Sequence, residues 1–366
     1  MGLIDAIRYS YPNARIRGMK SSLLSEKQIN SAIKIPTIDE FIIFLENSPY
    51  KESLYLQQGK VENSRDVENI LLINFIKTNK KVLSFAPSSV KEFLTEYFRR
   101  YEIQYIKNLI YYKSENKSEN ENAFDLKFFY EKDILSNEIY ELSTKLKEAK
   151  NVEEIVFTLE ITRYKFLRNH LDEYKNSGSV LPLILSLNKY YFDQLRKKIE
   201  NLPSKDKEIA KQIIGVEIDI TNILTLLRKI EVKSLNGNEE KKKIKIKKFL
   251  ILPSYLLSER IIENSIKCNS VEDLITKLGE TSYGKILSEK ITEFQKTKSL
   301  LTFELTLEEY LLKRNKRLLE KDPFQIGILL GYLKLKENEI KNLRKIAIGI
   351  ENKLNEEEIN SLIITI

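Results

Sequence analysis

The chain has 366 residues, 61 Lys and Arg against 53 Asp and Glu, a net charge of +8, and only eleven Gly and eight Pro. Lys, Glu, Leu and Ile dominate the rest, which favours helix because straight-chain residues lose little rotamer freedom there. One cysteine (Cys268) and one histidine (His170) exclude an intrachain disulfide, a His/Cys zinc site and a generously built Ser-His-Asp or Cys-His triad.

The opening MGLIDAIRYS lacks the basic and long apolar regions of a signal peptide. A basic cluster follows at Arg15, Arg17 and Lys20. The first strong helix start is Ile38-Asp39-Glu40-Phe41-Ile42 behind Thr37, continued by Leu45, Ser48 and Tyr50. Thr37 is placed to cap the helix, and Glu40 stands three residues on, at capping-box spacing. The next apolar stripe ends in Ile106-Lys107-Asn108-Leu109, before the polar run Lys113 to Asn120, which reads as a loop. The Thr37 pattern then returns as Asn151, Val152-Glu153-Glu154-Ile155-Val156, Leu159, Thr162 and Tyr164. His170, just beyond it, reads as a partly buried or surface residue and not as a catalyst. The runs Phe41–Leu45 and Leu181–Leu185 are core-sized, far below the roughly 20 apolar residues that cross a bilayer.

Tyr190 to Asn201 keeps helical spacing and leads to Glu217-Ile218-Asp219-Ile220-Thr221-Asn222-Ile223. At about 100° per residue, Ile220, Ile223, Leu224 and Leu227 share an apolar arc. Glu217, Thr221 and Arg228 flank it on one side, Asp219 and Asn222 on the other. Asn236-Gly237-Asn238 marks a loop, and Lys241 to Lys248 is the one concentrated basic patch, read as a solvated loop edge rather than a phosphate track. Elsewhere charges of both signs interleave, as on a solvated helix face. The cap pattern appears a third time as Ser270, Val271-Glu272-Asp273-Leu274-Ile275, Leu278, Thr281 and Tyr283. Cys268, just before it, reads as a small apolar filler. Glu308 to Glu320 is again helical, and Glu339-Ile340-Lys341-Asn342-Leu343 repeats the polar spacing of Asp219 and Asn222.

The cap words are offset by 114 and 119 residues, the asparagines by 114 and 120. A third word, Leu24-Ser25-Glu26, returns at Leu257-Ser258-Glu259 and, shortened, at Leu135-Ser136. Two words with one period indicate diverged copies of one helical unit of about 117 residues. The expected architecture is all-α, with repeats at 1–98, 99–212 and 213–366, the last including closing helices. The polar pairs Asp219/Asn222 and Glu339/Asn342 are expected to hydrogen-bond a neighbouring helix, with contact to a partner as the rival reading. No phosphate loop and no dinucleotide fingerprint is present, so no cofactor is expected. Acidic pairs such as Asp39-Glu40 fall where helix N-termini favour negative charge.

These residues also carry a family resemblance. Tyr9-x-Tyr11-x-x-Ala14-Arg15-Ile16-Arg17-Gly18-Met19-Lys20-Ser21-x-Leu23-Leu24 resembles the opening signature of the C subunit of A-type ATP synthases, related to the d subunit of vacuolar ATPases. Glu217-x-Asp219-x-x-Asn222-Ile223 with Leu227-Arg228 resembles the middle one. Asp322-Pro323, Ile326-Gly327, Tyr332, Lys336-Glu337-x-Glu339-Ile340-x-Asn342-Leu343-Arg344 and Gly349 resemble the closing one. Where the family often has Pro-x-Gly-x-Leu before the Leu-Ser helix, this chain has Pro253-Ser254-Tyr255-Leu256, and near Asp133-Ile134-Leu135 the proline is missing too.

The resemblance implies a funnel of three similar helical domains about a pseudo-threefold axis. It implies a non-catalytic rotor component between the proteolipid ring and the central shaft, held peripherally on the cytoplasmic side of the cell membrane. The candidate partner contacts are Arg15, Arg17, Lys20, Glu217, Arg228, Glu339, Asn342 and Arg344, with the Arg15 cluster expected near the helix that carries Glu339. The alternatives are a free-standing helical scaffold and a basic nucleic-acid-binding protein. Co-purification with proteolipid and the salt dependence of duplex binding would separate these readings.

Overall fold

A computed structural model describes residues 3–56, 60–115, 136–235 and 246–366 of the chain, and every regular element among them is helical. The helices run α1 (Leu3–Lys20), α2 (Glu26–Ile33), α3 (Ile38–Glu46), α4 (Lys51–Leu54), α5 (Ser64–Phe85), α6 (Ser88–Phe98) and α7 (Arg100–Ser114). Next come α8 (Asn137–Glu148), α9 (Val152–Thr158), α10 (Leu171–Ser177), α11 (Leu181–Glu200) and α12 (Ser204–Leu235). The last are α13 (Glu259–Lys267), α14 (Val271–Lys277), α15 (Ser282–Ser288), α16 (Ile291–Thr297), α17 (Leu301–Lys321), α18 (Gly327–Glu351) and α19 (Glu356–Leu362). Residues 116–135 and the loop motif Asn236-Gly237-Asn238 lie outside the described residues, as does the basic patch up to Lys245. Of that patch, Lys247 reaches Glu263 at 3.0 Å and Lys248 reaches Glu173.

Local chemistry starts the short helices where the sequence placed them. The side chains of Thr37, Asn151 and Ser270 each accept the backbone N–H three residues on, at Glu40, Glu154 and Asp273. Such caps satisfy one of the orphan donors of a helix start and are worth about 1 kcal/mol each. In the second copy the return bond of a capping box is displaced by one residue, because Glu154 accepts the Lys150 N–H at 2.7 Å. A full box forms instead at Ser25 and Gln28, starting α2. The Ser or Thr of each repeated word has a fixed task too. Ser48, Thr162 and Thr281 donate to the carbonyls of Leu45, Leu159 and Leu278 at 2.7 Å, turning the chain out of the helix so that the following tyrosine points inward. Tyr50, Tyr164 and Tyr283 are all fully buried.

Two compact units result. One comprises the chain up to Phe98 together with Leu312–Ile366. In it α18 lies along α5 and packs against α1, α2 and α3. Its core joins Ile29, Phe41 and Leu45 to Leu343, Ile346 and Ile359. The other unit runs from Arg99 to Leu311. There α7 packs on α9 and α11, and α12 packs on α11 and α14. Its core includes Ile223, Leu227, Leu274, Tyr283 and Phe303. One set of elements recurs three times: a long helix (α18, α7, α12), a run of short helices that begins with a pair (α2–α3, α8–α9, α13–α14), and a second long helix (α5, α11, α17).

Candidate functional site: a carboxylate hub repeated three times

A single buried polar device recurs on the three long helices. In the Arg99–Leu311 unit, Glu102 on α7 accepts the Tyr164 hydroxyl and also the backbone N–H and hydroxyl of Ser136, at 3.0 and 2.8 Å. In the same unit Asp219 on α12 accepts the N–H groups of Tyr255 and Leu256 at 2.7 and 2.6 Å, and the Tyr283 hydroxyl at 3.1 Å. In the other unit Glu339 on α18 accepts the Tyr50 hydroxyl at 2.6 Å and the Leu24 N–H. Each carboxylate thus ties its long helix to the tyrosine of the cap word and to the turn before the Leu-Ser helix. Buried acceptors need such partners, and bonds to a charged group contribute about 1.5–3 kcal/mol.

The hubs differ in how the buried charge is met. Lys336 lies 2.8 Å from Glu339 and 3.0 Å from the Tyr50 hydroxyl, with its ammonium 4.2 Å from the Tyr50 ring centroid. Burial pushes the Lys336 pKa down, opposed by Glu339. Arg99 stands 3.7 Å from Glu102. Asp219 relies mainly on neutral donors, and burial raises its pKa against the pull of the two backbone N–H groups and Tyr283. Burial, and then the adjacent carboxylate, lifts the phenols of Tyr50 and Tyr164 well above their ordinary value.

Beside two of the hubs an asparagine pairs with non-helical backbone. Asn222 donates to Ile251 O at 3.1 Å and accepts Ile251 N–H at 2.9 Å. Asn342 does the same with Ile364, at 2.8 and 3.0 Å. These polar pairs thus serve the fold, but the partners of the asparagines are non-helical backbone and not the neighbouring helix expected from the sequence. The geometry also corrects the register read from the sequence. The hub acids stand three residues before Asn222 and Asn342, so the matching position after Glu102 is Tyr105 and not Asn108. Asn108 is half-buried and takes a bond from Gln104. The slip is close to one helical turn, and Ile103/Ile106 satisfies the apolar pattern as well as Ile106/Leu109 does. Counted on the hub acids, 102 to 219 to 339, the intervals are 117 and 120 residues.

The candidate contact residues divide by exposure. Glu217, Glu339 and Asn342 are buried; Glu217 pairs with Arg100 at 3.0 Å, and Arg100 also reaches the Tyr191 hydroxyl. Arg228 and Arg344 are about half exposed and pair within their own units, with Glu304 at 2.8 Å and Glu68 at 3.0 Å. Arg15 and Arg17 are exposed on α1: Arg15 lies over the Phe85 ring and Arg17 holds Asn13. Lys20 pairs with Glu320 at 3.4 Å and lines one cleft with Glu339 and Asn342. The expected nearness of this cluster to the Glu339 helix is thus met through Lys20, and α1 packs on α18. Tyr255, which stands where the family often has glycine, fits because α12 carries Gly215 opposite it: a Cβ there would lie 2.7 Å from the Tyr255 Cβ.

Cys268 is buried, and burial pushes its thiol up to about 11. His170 is half-buried, 3.3 Å from Glu173 and against Phe249. Among the described residues, no group of three or more His, Cys, Asp or Glu is placed to hold a metal ion. The hub was missed in the sequence at Glu102, although the repeated tyrosines, each needing a buried partner, were a signal that could have found it.

Residues 12–362 match the family model described as ATP synthase (C/AC39) subunit. The chain is 30% identical over 365 residues to the A-type ATP synthase C subunit of Methanocaldococcus jannaschii, spanning 100% of this chain and 88% of that one. It is 27% identical over 346 residues to the protein of the same name from Methanothermobacter thermautotrophicus (94% and 84%). With the one from Pyrococcus abyssi it shares 28% over 359 residues (97% and 90%).

Proposed function

The chain belongs to the ATP synthase (C/AC39) subunit family, and from that membership we propose that it is the C subunit of an A-type ATP synthase, a coupling part with no catalytic residues of its own. In this proposal it caps the membrane proteolipid ring and links it to the central shaft, passing torque between them during ATP synthesis driven by protons or sodium ions. The observation that carries it is full-length similarity to relatives bearing that name. The repeated hub supports it on mechanical grounds. A torque-bearing part must not yield between its helices, and charge-assisted buried bonds resist shear better than apolar contact alone, because they are directional.

Among the described residues no helix is long and apolar enough to cross a membrane. Attachment in this proposal is therefore indirect, peripheral on the cytoplasmic side and through the ring. Three similar domains in a funnel are part of the same proposal. In this proposal the repeats are 1–98, 99–212 and 213–366, the last ending in closing helices that pack with the first repeat from Leu312 onward. The partner contacts are assigned to the exposed cations Arg15, Arg17, Lys20, Arg228 and Arg344, while Glu217, Glu339 and Asn342 support them from within. Purification of the tagged protein from detergent-solubilised native membranes tests the reading. Proteolipid and shaft proteins should accompany it in stoichiometric amounts; recovery with soluble proteins alone refutes the rotor assignment.

A further inference from the structure

The unit that holds Glu339 is assembled from segments about 300 residues apart in sequence, and residues 355–366 sit across the join. A capping box between Asn355 and Glu358 starts α19. Ile359 is its one buried side chain, entering the same core as Ile29 and Ile33 of α2 and Ile346 and Ile350 of α18. Beyond α19 the chain leaves the helix, and α18 side chains hydrogen-bond its backbone. Asn342 takes both backbone groups of Ile364, Asn338 adds a bond to Ile364 O at 2.8 Å, and Lys345 donates to Leu362 O at 2.8 Å. In the Arg99–Leu311 unit the Asn222–Ile251 clamp is built differently. Ile251 is followed within five residues by the Tyr255 and Leu256 groups that bind Asp219, and then by α13, so one continuous segment closes the hub. In the unit with Glu339, the clamped Ile364 and the hub donor Leu24 belong to separate parts of the chain. Nothing covalent nearby joins α2 to the clamp; α19 bridges them by packing on both α2 and α18.

We propose that residues 355–366 are a strap fastening α2 to α18, so that release of the strap and release of the α2–α3 hairpin are one opening event. A seven-residue helix has no stability of its own, so α19 stays folded only while Ile359 is seated between α2 and α18. Conversely, α2 loses its cover and its Ile359 contacts when the strap leaves. Such mutual dependence is what makes a local opening cooperative. The proposal does not rest on the rotor reading and stands or falls separately from it.

The structure supplies a lock for the test. A Cβ on Gly349 would lie 3.7 Å from the Ile359 Cβ, within the range that a disulfide requires. The side chain that would crowd it is the one that Ile359→Cys removes. The full chain carrying Gly349→Cys and Ile359→Cys is compared, oxidised and reduced, by native-state hydrogen exchange, with α13 of the other unit as internal reference. Oxidation should slow α19 and α2 amides together, by tenfold or more, and leave α13 unchanged. Asn342→Ala in the otherwise natural chain should speed α19 and α2 together. Failure of the disulfide to form, slowing or speeding confined to α19, or no effect on either helix would each overturn the strap.

Discussion

Replacing Asp219 by Asn tests whether the hub is an energetic centre or only a crowded place. Three donors converge on two oxygens: Tyr255 N–H at 2.7 Å, Leu256 N–H at 2.6 Å and Tyr283 O–H at 3.1 Å. An asparagine keeps the shape but offers one acceptor oxygen. Placed at the Oδ2 position it retains Leu256 and Tyr283, and its NH2 then faces the Tyr255 N–H, donor against donor. One charge-assisted bond worth about 1.5–3 kcal/mol is lost, and two others fall towards the neutral value of about 1 kcal/mol. Burial raises the Asp219 pKa, so removing the charge returns part of that cost. The net expectation is a loss of about 2 kcal/mol at neutral pH. Tyr283→Phe removes the longest of the three bonds and should cost about 1 kcal/mol. Because both changes act on one bond, the double variant should cost less than the sum by about 0.5–1 kcal/mol. The chain has no tryptophan, so urea unfolding is followed by far-UV circular dichroism. Two compact units make a single two-state fit unsafe, and exchange of α13 and α14 amides locates the loss. An Asp219→Asn midpoint equal to or above the parent's would show that the buried carboxylate contributes nothing.

Other expectations follow from single positions. Burial, with the Arg228 charge adding to it, lowers the Lys107 pKa to about 8. A lysine depressed on folding opposes the fold while it is charged there, so this group's contribution rises with pH between about 8 and the ordinary 10.5. Lys107→Met should accordingly gain on the parent at pH 7 and lose that advantage by pH 10, in urea midpoints; a gap independent of pH contradicts the assignment. Gly284→Ala should disorder α15, since its Cβ would collide with the Leu278 carbonyl, which is backbone and cannot step aside; an unchanged thermal melt would refute this. Arg15→Ala with Arg17→Ala should shift folding by no more than about 1 kcal/mol, as exposed charges do, yet weaken capture of the ring and shaft proteins from solubilised membranes. Normal capture by a destabilised variant would assign those arginines to the fold instead.

Much of the framework was readable from one sequence because its determinants are local. Thr37, Asn151 and Ser270 cap helices through bonds spanning three residues, and the apolar stripes need only helical geometry, so helix starts, the all-α class and the repeat could be read in order. Asn222 and Asn342 were legible as polar groups that must find partners, though not which partners, because Ile251 and Ile364 offer non-helical backbone with no side-chain signature. The register of the word at Ile106-Lys107-Asn108 was hard to read, since a slip of nearly one turn keeps the apolar face intact, and it is the bonds from Tyr164 and Ser136 that identify Glu102. Nor does sequence order disclose that Tyr50 reaches an acid 289 positions away while Tyr164 and Tyr283 find theirs within 62 and 64. Local bonds are specified by spacing and can be read along the chain. Which helix closes which hub depends on burying apolar faces and charges together, and only the folded chain makes that choice.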